Sequence, residues 1–246
     1  MHLLIRPLLY VVSLIAVVTP AVSPAATGDV YAEVMASPAS VSWWTPGHAF
    51  ICISYHLNSG IKEECYGFYR SNLPNEAFVG APGLANEFKK NPMRFTQVSW
   101  SMKNRISDQQ RKDFFNLVDS VNTKNYKLLT YNCGDFVSDA VTLFGWRNVA
   151  KGASPEPYVR ELYTANIKRF NHSSGSFRRS NSNWQEFNAS GAAVFSFIET
   201  GHDSAYISIR DASRNLDLRL PIRGGMSQWR TTGGWSNLYK VSASVD

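Results

Sequence analysis

The chain has 246 residues, 44% of them hydrophobic and 13% aromatic, with 25 basic and 19 acidic side chains. That apolar content is ample for a packed core in one large or two small domains. The net charge of +6 suits anionic envelope material such as cell-wall polymer or lipid head groups, and no Lys/Arg run with interleaved aromatics points to nucleic acid.

Residues 1–26 have the layout of a secretory signal peptide. Arg6 precedes an apolar run over Leu8–Val18, and small residues follow, ending at Ala25 and Ala26. The run is too short for a membrane span, and no later segment approaches that length. The sequence therefore predicts a secreted or periplasmic protein without a transmembrane span, in a space where disulfides persist. Loss of Arg6 with this segment lowers the net charge to +5.

Residues 28–35 predict a first strand, and Trp43–Gly47 a turn. From His48 to His56 the pattern alternates, with Ala49, Ile51, Ile53 and Tyr55 on one face and His48, Phe50, Cys52, Ser54 and His56 on the other. Lys62–Arg70 is the return strand. A two-residue turn at Asn58 and Ser59 sets Cys52 opposite Cys65, where a disulfide can form; a shifted register leaves two reduced thiols. Residues 71–93, rich in Pro, Gly and Asn, predict a long irregular loop, and Phe95–Trp100 a short strand. Ser107 with Gln110 forms a capping box ahead of a helix carrying Phe114, Phe115, Leu117, Val118 and Val121. A further helix is expected within residues 155–170.

The most informative stretch is Tyr131, Asn132, Cys133, Gly134, Asp135, Phe136, Val137. Asn132 is a good N-cap, Phe136, Val137, Ala140, Val141 and Phe144 recur at helical spacing, and Gly145 supplies the stop. A cysteine in the first turn of such a helix meets backbone N–H groups and the positive dipole end, which favour the nucleophilic thiolate. Most single cysteines are instead small buried hydrophobes. A nucleophile needs a base, and four histidines follow the signal segment. His48 and His56 lie about 26 Å apart along an extended strand, so they cannot serve one site. His56 adjoins a turn, and His172 and His202 fall in linker and loop contexts. His48 is the partner by elimination. Metal ligation and a bound cofactor are not expected, because three scattered cysteines make a poor metal site.

Gly47, His48, Ala49 and Phe50 on a strand, followed about 85 residues later by Asn132 and Cys133 opening a helix, resemble the permuted papain-like cysteine hydrolases. That group includes the lecithin:retinol acyltransferase type and relatives of the NlpC-type cell-wall peptidases. The resemblance covers residues 28–165. It implies an α+β fold, a permuted papain-like domain with an antiparallel sheet packed on helices, with Cys133 as nucleophile, His48 as general base and the first N–H groups of the cysteine helix as oxyanion donors. A third residue that orients the imidazole is not identifiable among Tyr69, Arg70, Ser71 and Asn72. Asp135 instead fits a first-turn acid that complements the helix dipole.

The composition changes at Asn171. Residues 171–183 predict a linker, and residues 184–246 a small all-β module, following a papain-like domain over 27–170. The tryptophans of this module, Trp184, Trp229 and Trp235, either stack on sugars or fill its core. Three functions are consistent with these features. One is a thiol hydrolase cleaving amide bonds in cell-wall peptides, with peptidoglycan as partner. The second is an acyltransferase or lipid-ester hydrolase. The third is a non-catalytic glycan-binding protein.

Overall fold

The computed structural model describes residues 29–38, 47–70, 81–84, 98–122, 125–126, 130–152 and 154–245. The signal segment expected over 1–26 lies outside them. The first strand, β1 (Asp29–Ser37), buries every second residue, and pairs antiparallel with β2 (His48–Leu57). Strand β3 (Gly60–Tyr66) returns along β2 after the two-residue turn at Asn58 and Ser59, so that Cys52 pairs with Cys65. The two are joined as a disulfide. Reduction of this bridge is expected to cost about 3 kcal/mol by the loop-closure argument, visible as a lower melting temperature in dithiothreitol.

Short strands β4 (Tyr69–Arg70) and β5 (Ala81–Leu84) pair with each other. Strand β6 (Trp100–Arg105) then joins the free edge of β1, giving the sheet order β3-β2-β1-β6. A strand was expected over Phe95–Trp100; Phe95, Thr96 and Gln97 lie outside the described residues, Val98 and Ser99 are not strand, and β6 begins at Trp100. Ser101, Lys103 and Arg105 point away from the core while Met102 is buried, so the polar half of the alternation hides this strand in the sequence.

Helix α1 (Asp108–Val121) starts at the expected capping box of Ser107 and Gln110, and β7 (Asn125–Tyr126) adds to β5. Helices α2 (Cys133–Leu143) and α3 (Pro155–Asn166) complete this half. All three helices pack on one face of the four-stranded sheet. Ala32, Val34, Ala36, Ala49, Ile51 and Ile53 meet Phe114, Phe136, Val137, Ala140 and Leu162 there. The opposite face carries a separate cluster of Phe50, Cys52 and Cys65, with Met35 against it.

The rest is a barrel. Strands β8 (Arg169–His172), β9 (Gly175–Ser180), β10 (Asn183–Asn188), β11 (Ala193–His202), β12 (Tyr206–Asp211), β13 (Leu216–Pro221), β14 (Gly225–Arg230) and β15 (Ser236–Ser244) follow one another, and β15 pairs back onto β8 to close it. Eight strands enclose a space that side chains can fill. Phe170, Phe177, Trp184, Ile207, Ile209, Leu218 and Leu220 fill it here. Trp184, 1% exposed, is therefore a core residue.

Two expectations are corrected by this architecture. The described residues are mostly β, 50% strand and 22% helix, with a closed eight-stranded barrel; this is not the helix-packed α+β papain-like fold. The segment 171–183, expected as a linker, is barrel wall. Asn171, Ser173, Ser174, Arg178 and Ser180 are exposed while Ser176 and Phe177 are buried, so a strand with one wet face has the composition of a loop. The hydrophobic core is continuous across both halves. Arg179 of β9 donates to the Thr164 carbonyl at the end of α3 at 2.9 Å, and Arg223 donates to the Ser99 carbonyl at 2.8 Å.

The β12–β13 turn is tied by one carboxylate. Asp211 accepts from the Ser213 hydroxyl at 2.6 Å and from Arg214 Nε at 2.6 Å. The Ser213 hydroxyl, with Arg214 adding to it, holds the Asp211 carboxyl down at about 2, against an ordinary value of 3.8. A depressed carboxyl stabilises the fold above its unfolded value and stops doing so as pH falls through the folded one. Asp211→Asn is thus expected to flatten the loss of stability between about pH 4 and pH 2, as read from urea midpoints.

Candidate cysteine–histidine site

Cys133 is the first residue of α2. Asn132 caps the helix in extended conformation, its Oδ1 accepting from the Gly134 N–H at 2.8 Å. Asp135 reaches back to accept from the Asn132 N–H at 2.9 Å and pairs with Lys151 on its other side. This reciprocal capping satisfies two of the donors that a helix start leaves open. A Cβ on Gly134 would stand 3.1 Å from Asn132 Oδ1, so a side chain there would press on the cap. Behind the cap, Phe136, Val137, Ala140 and Val141 are fully buried, and Gly145 ends the helix at φ 68.

The outer side of α2 is bolted by polar contacts. Tyr131 Oη donates to Asp139 at 2.8 Å. Asn148 Nδ2 donates to Ser138 Oγ at 2.8 Å and to Thr142 Oγ1 at 3.1 Å, and Asn148 Oδ1 accepts from Tyr158 Oη at 3.2 Å. Burial pushes the Tyr158 phenol up to about 12, so it stays a neutral donor at physiological pH. Burial and the Asp139 carboxylate likewise raise Tyr131. These residues were not legible as partners in the sequence: Asn148 and Lys151 follow the helix without a recognisable spacing.

Cys133 is buried, 5% exposed, and lies outside the disulfide that joins Cys52 and Cys65. It belongs to neither hydrophobic cluster. Helix α2 packs against β2, the strand that His48 opens. Tyr131, two residues before Cys133, packs edge-on against Phe68 with ring centroids 5.4 Å apart. Phe68 lies two residues beyond Tyr66, whose pairing with Ile51 ends the β2–β3 ladder.

His48 follows Gly47, whose φ of 79 turns the chain into the strand. Strand alternation sets His48 with Phe50, the two rings 6.3 Å apart and 7° from parallel, on the face away from the helices. The other imidazoles are engaged elsewhere. His56 lies at the far end of β2 beside Tyr31, centroids 4.6 Å apart. His172 accepts from the Ser174 N–H and stacks on Tyr239 in the barrel. His202 Nε2 meets Glu161 at 2.7 Å. Of the residues weighed for orienting the imidazole, Tyr69 and Arg70 form β4, whose backbone pairs with β5, and Ser71 and Asn72 lie outside the described residues.

Among the described residues, the cluster offering several metal-ligating atoms is Cys52, Glu63 and Cys65, and its two sulfurs are bonded to each other. No described helix is long and apolar enough to cross a membrane, and the disulfide fits an oxidising compartment. No family model, curated protein or solved structure matches this chain.

Proposed function

We propose that the protein is an exported thiol hydrolase that cleaves amide bonds, with cell-wall peptides as its substrate class. The observation that carries this reading is a buried cysteine outside the disulfide, at the first position of a doubly capped helix that packs on β2, the strand that His48 opens. In the proposed reaction Cys133 sulfur attacks the amide carbonyl carbon after His48 takes its proton. The first N–H groups of α2 hold the developing oxyanion. His48 returns the proton to the leaving amine, and water then hydrolyses the thioester, freeing the acid and the thiol.

The resemblance of both motifs to permuted papain-like hydrolases supports this chemistry, as does the positive charge for an anionic wall. The alternation of β2 adds a requirement. The His48 imidazole must reach the thiol around the end of the strand, next to Gly47, and not through the helix-packed face. A thiol probe tests the reading: selective labelling of Cys133 near neutral pH that is lost in His48→Ala is the expected result. Labelling no faster than that of a free thiol favours the non-catalytic reading, for which the burial of Cys133 speaks.

A further inference from the structure

The outer wall of the barrel carries a cavity of about 750 Å³ across β9, β10, β11 and β12. Its floor is two cross-strand rows. Arg178, Gln185 and Ser196 are neighbours in one, and Asn183, Ile198 and Arg210 in the next. Their side chains share the outward parity, opposite to the buried Phe177, Trp184, Phe197 and Ile209. None of its lining residues belongs to α2 or β2, so it lies apart from Cys133.

Its charges are unequal. Arg210 is held by Asp217 and Asn215, each at 2.6 Å. Arg179 at the edge is matched by Glu199, and the Asp211 carboxylate by Arg214. Arg178 donates from Nε to Ser176 Oγ at 3.2 Å and lies 4.1 Å over the Phe187 ring, with no carboxylate partner among the described residues. The groove thus offers one uncompensated guanidinium at one end. Amide and hydroxyl groups line its middle, and Ile198, 60% exposed, provides an apolar surface.

We infer that this groove binds a glycan whose sugars carry carboxylates. Arg178 takes the carboxylate in a charge-assisted pair. Gln185, Ser196 and Asn183 exchange hydrogen bonds with hydroxyls, and Ile198 meets an apolar ring face. Arg178 and Arg210 stand three strand spacings apart across the sheet and one row apart along it, about 16 Å, a span of oligosaccharide length. An extended peptide is the poorer fit. Every strand under the groove is paired on both sides, so no free edge exists to hydrogen-bond a peptide backbone.

The inference does not rest on the Cys133 reading, and Cys133→Ala is expected to bind as the unaltered protein does. Calorimetric titration of the full chain with tri-galacturonate, and with neutral maltotriose as control, tests it. Tri-galacturonate binding that weakens with added salt, at least about tenfold tighter than maltotriose, is expected. Arg178→Ala is expected to lose about tenfold, the worth of one charged hydrogen bond. Ile198→Asp, at an exposed position, is expected to abolish binding while leaving the melting curve unchanged. Equal binding of the acidic and neutral sugars would overturn the inference. So would no binding of either, unaltered binding by both variants, or equal binding of an Asp/Glu hexapeptide.

Discussion

Cys133→Ala is expected to lower hydrolysis of a muropeptide by about 10⁴-fold or more, because the covalent step has no substitute nucleophile. Folding survives the change. Alanine at a buried first-turn position keeps the Asn132–Asp135 cap and the helix it starts, and the melting temperature is expected to move by only a few degrees. His48→Ala is expected to give a loss of similar size, since nucleophile and base act as one unit and their losses do not add. The double variant should therefore be no worse than either single one. Release of free carboxyl and amino ends from a defined muropeptide is the measurement. Turnover that persists in Cys133→Ala with intact circular dichroism would exclude the hydrolase reading.

Glu199→Ala is expected to be the most destabilising single change in the barrel. Glu199 accepts from Arg179 Nη2 at 2.8 Å and from Trp184 Nε1 at 2.9 Å, with side chains of the ion pair only 8% and 12% exposed. Burial already lowers the Arg179 pKa, with the Glu199 charge opposing that shift. Removing the carboxylate leaves a buried guanidinium and a buried indole N–H unpaired, a loss of about 3–5 kcal/mol. Because Arg179 also donates to carbonyls at the end of α3, the damage spreads to the seam between the halves. Urea unfolding is the check. Glu199→Gln, which keeps an acceptor without the charge, is expected to fall between. A loss below about 1 kcal/mol in the alanine variant would mean that water already reaches this pair.

Local rules carried much of the site. Asn132, Gly145, Ser107 and Gln110 announce helix ends because capping is decided within a few residues. The hairpin register was legible because one short turn fixes every pairing beyond it, and Cys52 meets Cys65 as that turn requires. What escaped depends on distant partners. The wall strands β8 and β9 have their apolar halves thinned to Phe170, Ser176 and Phe177, and only closure with β15 and β10 gives them a purpose. The face that His48 takes was legible from alternation. Its relation to the helices was not, because which face of β2 receives α2 is set by the packing of Ala49, Ile51 and Ile53.

Closure of the barrel between β8 and β15 also sets an order of assembly. Ser244 must find Arg169, so the wall stays an open ribbon until the final strand has been delivered. Until then β8 and β14 present bare backbone to any neighbour, a template for misassociation. A truncation just before Ser236 would arrest the protein in that state. Its expected phenotype is insolubility of the whole chain, with the disulfide-bonded sheet carried down by the edges it never touches.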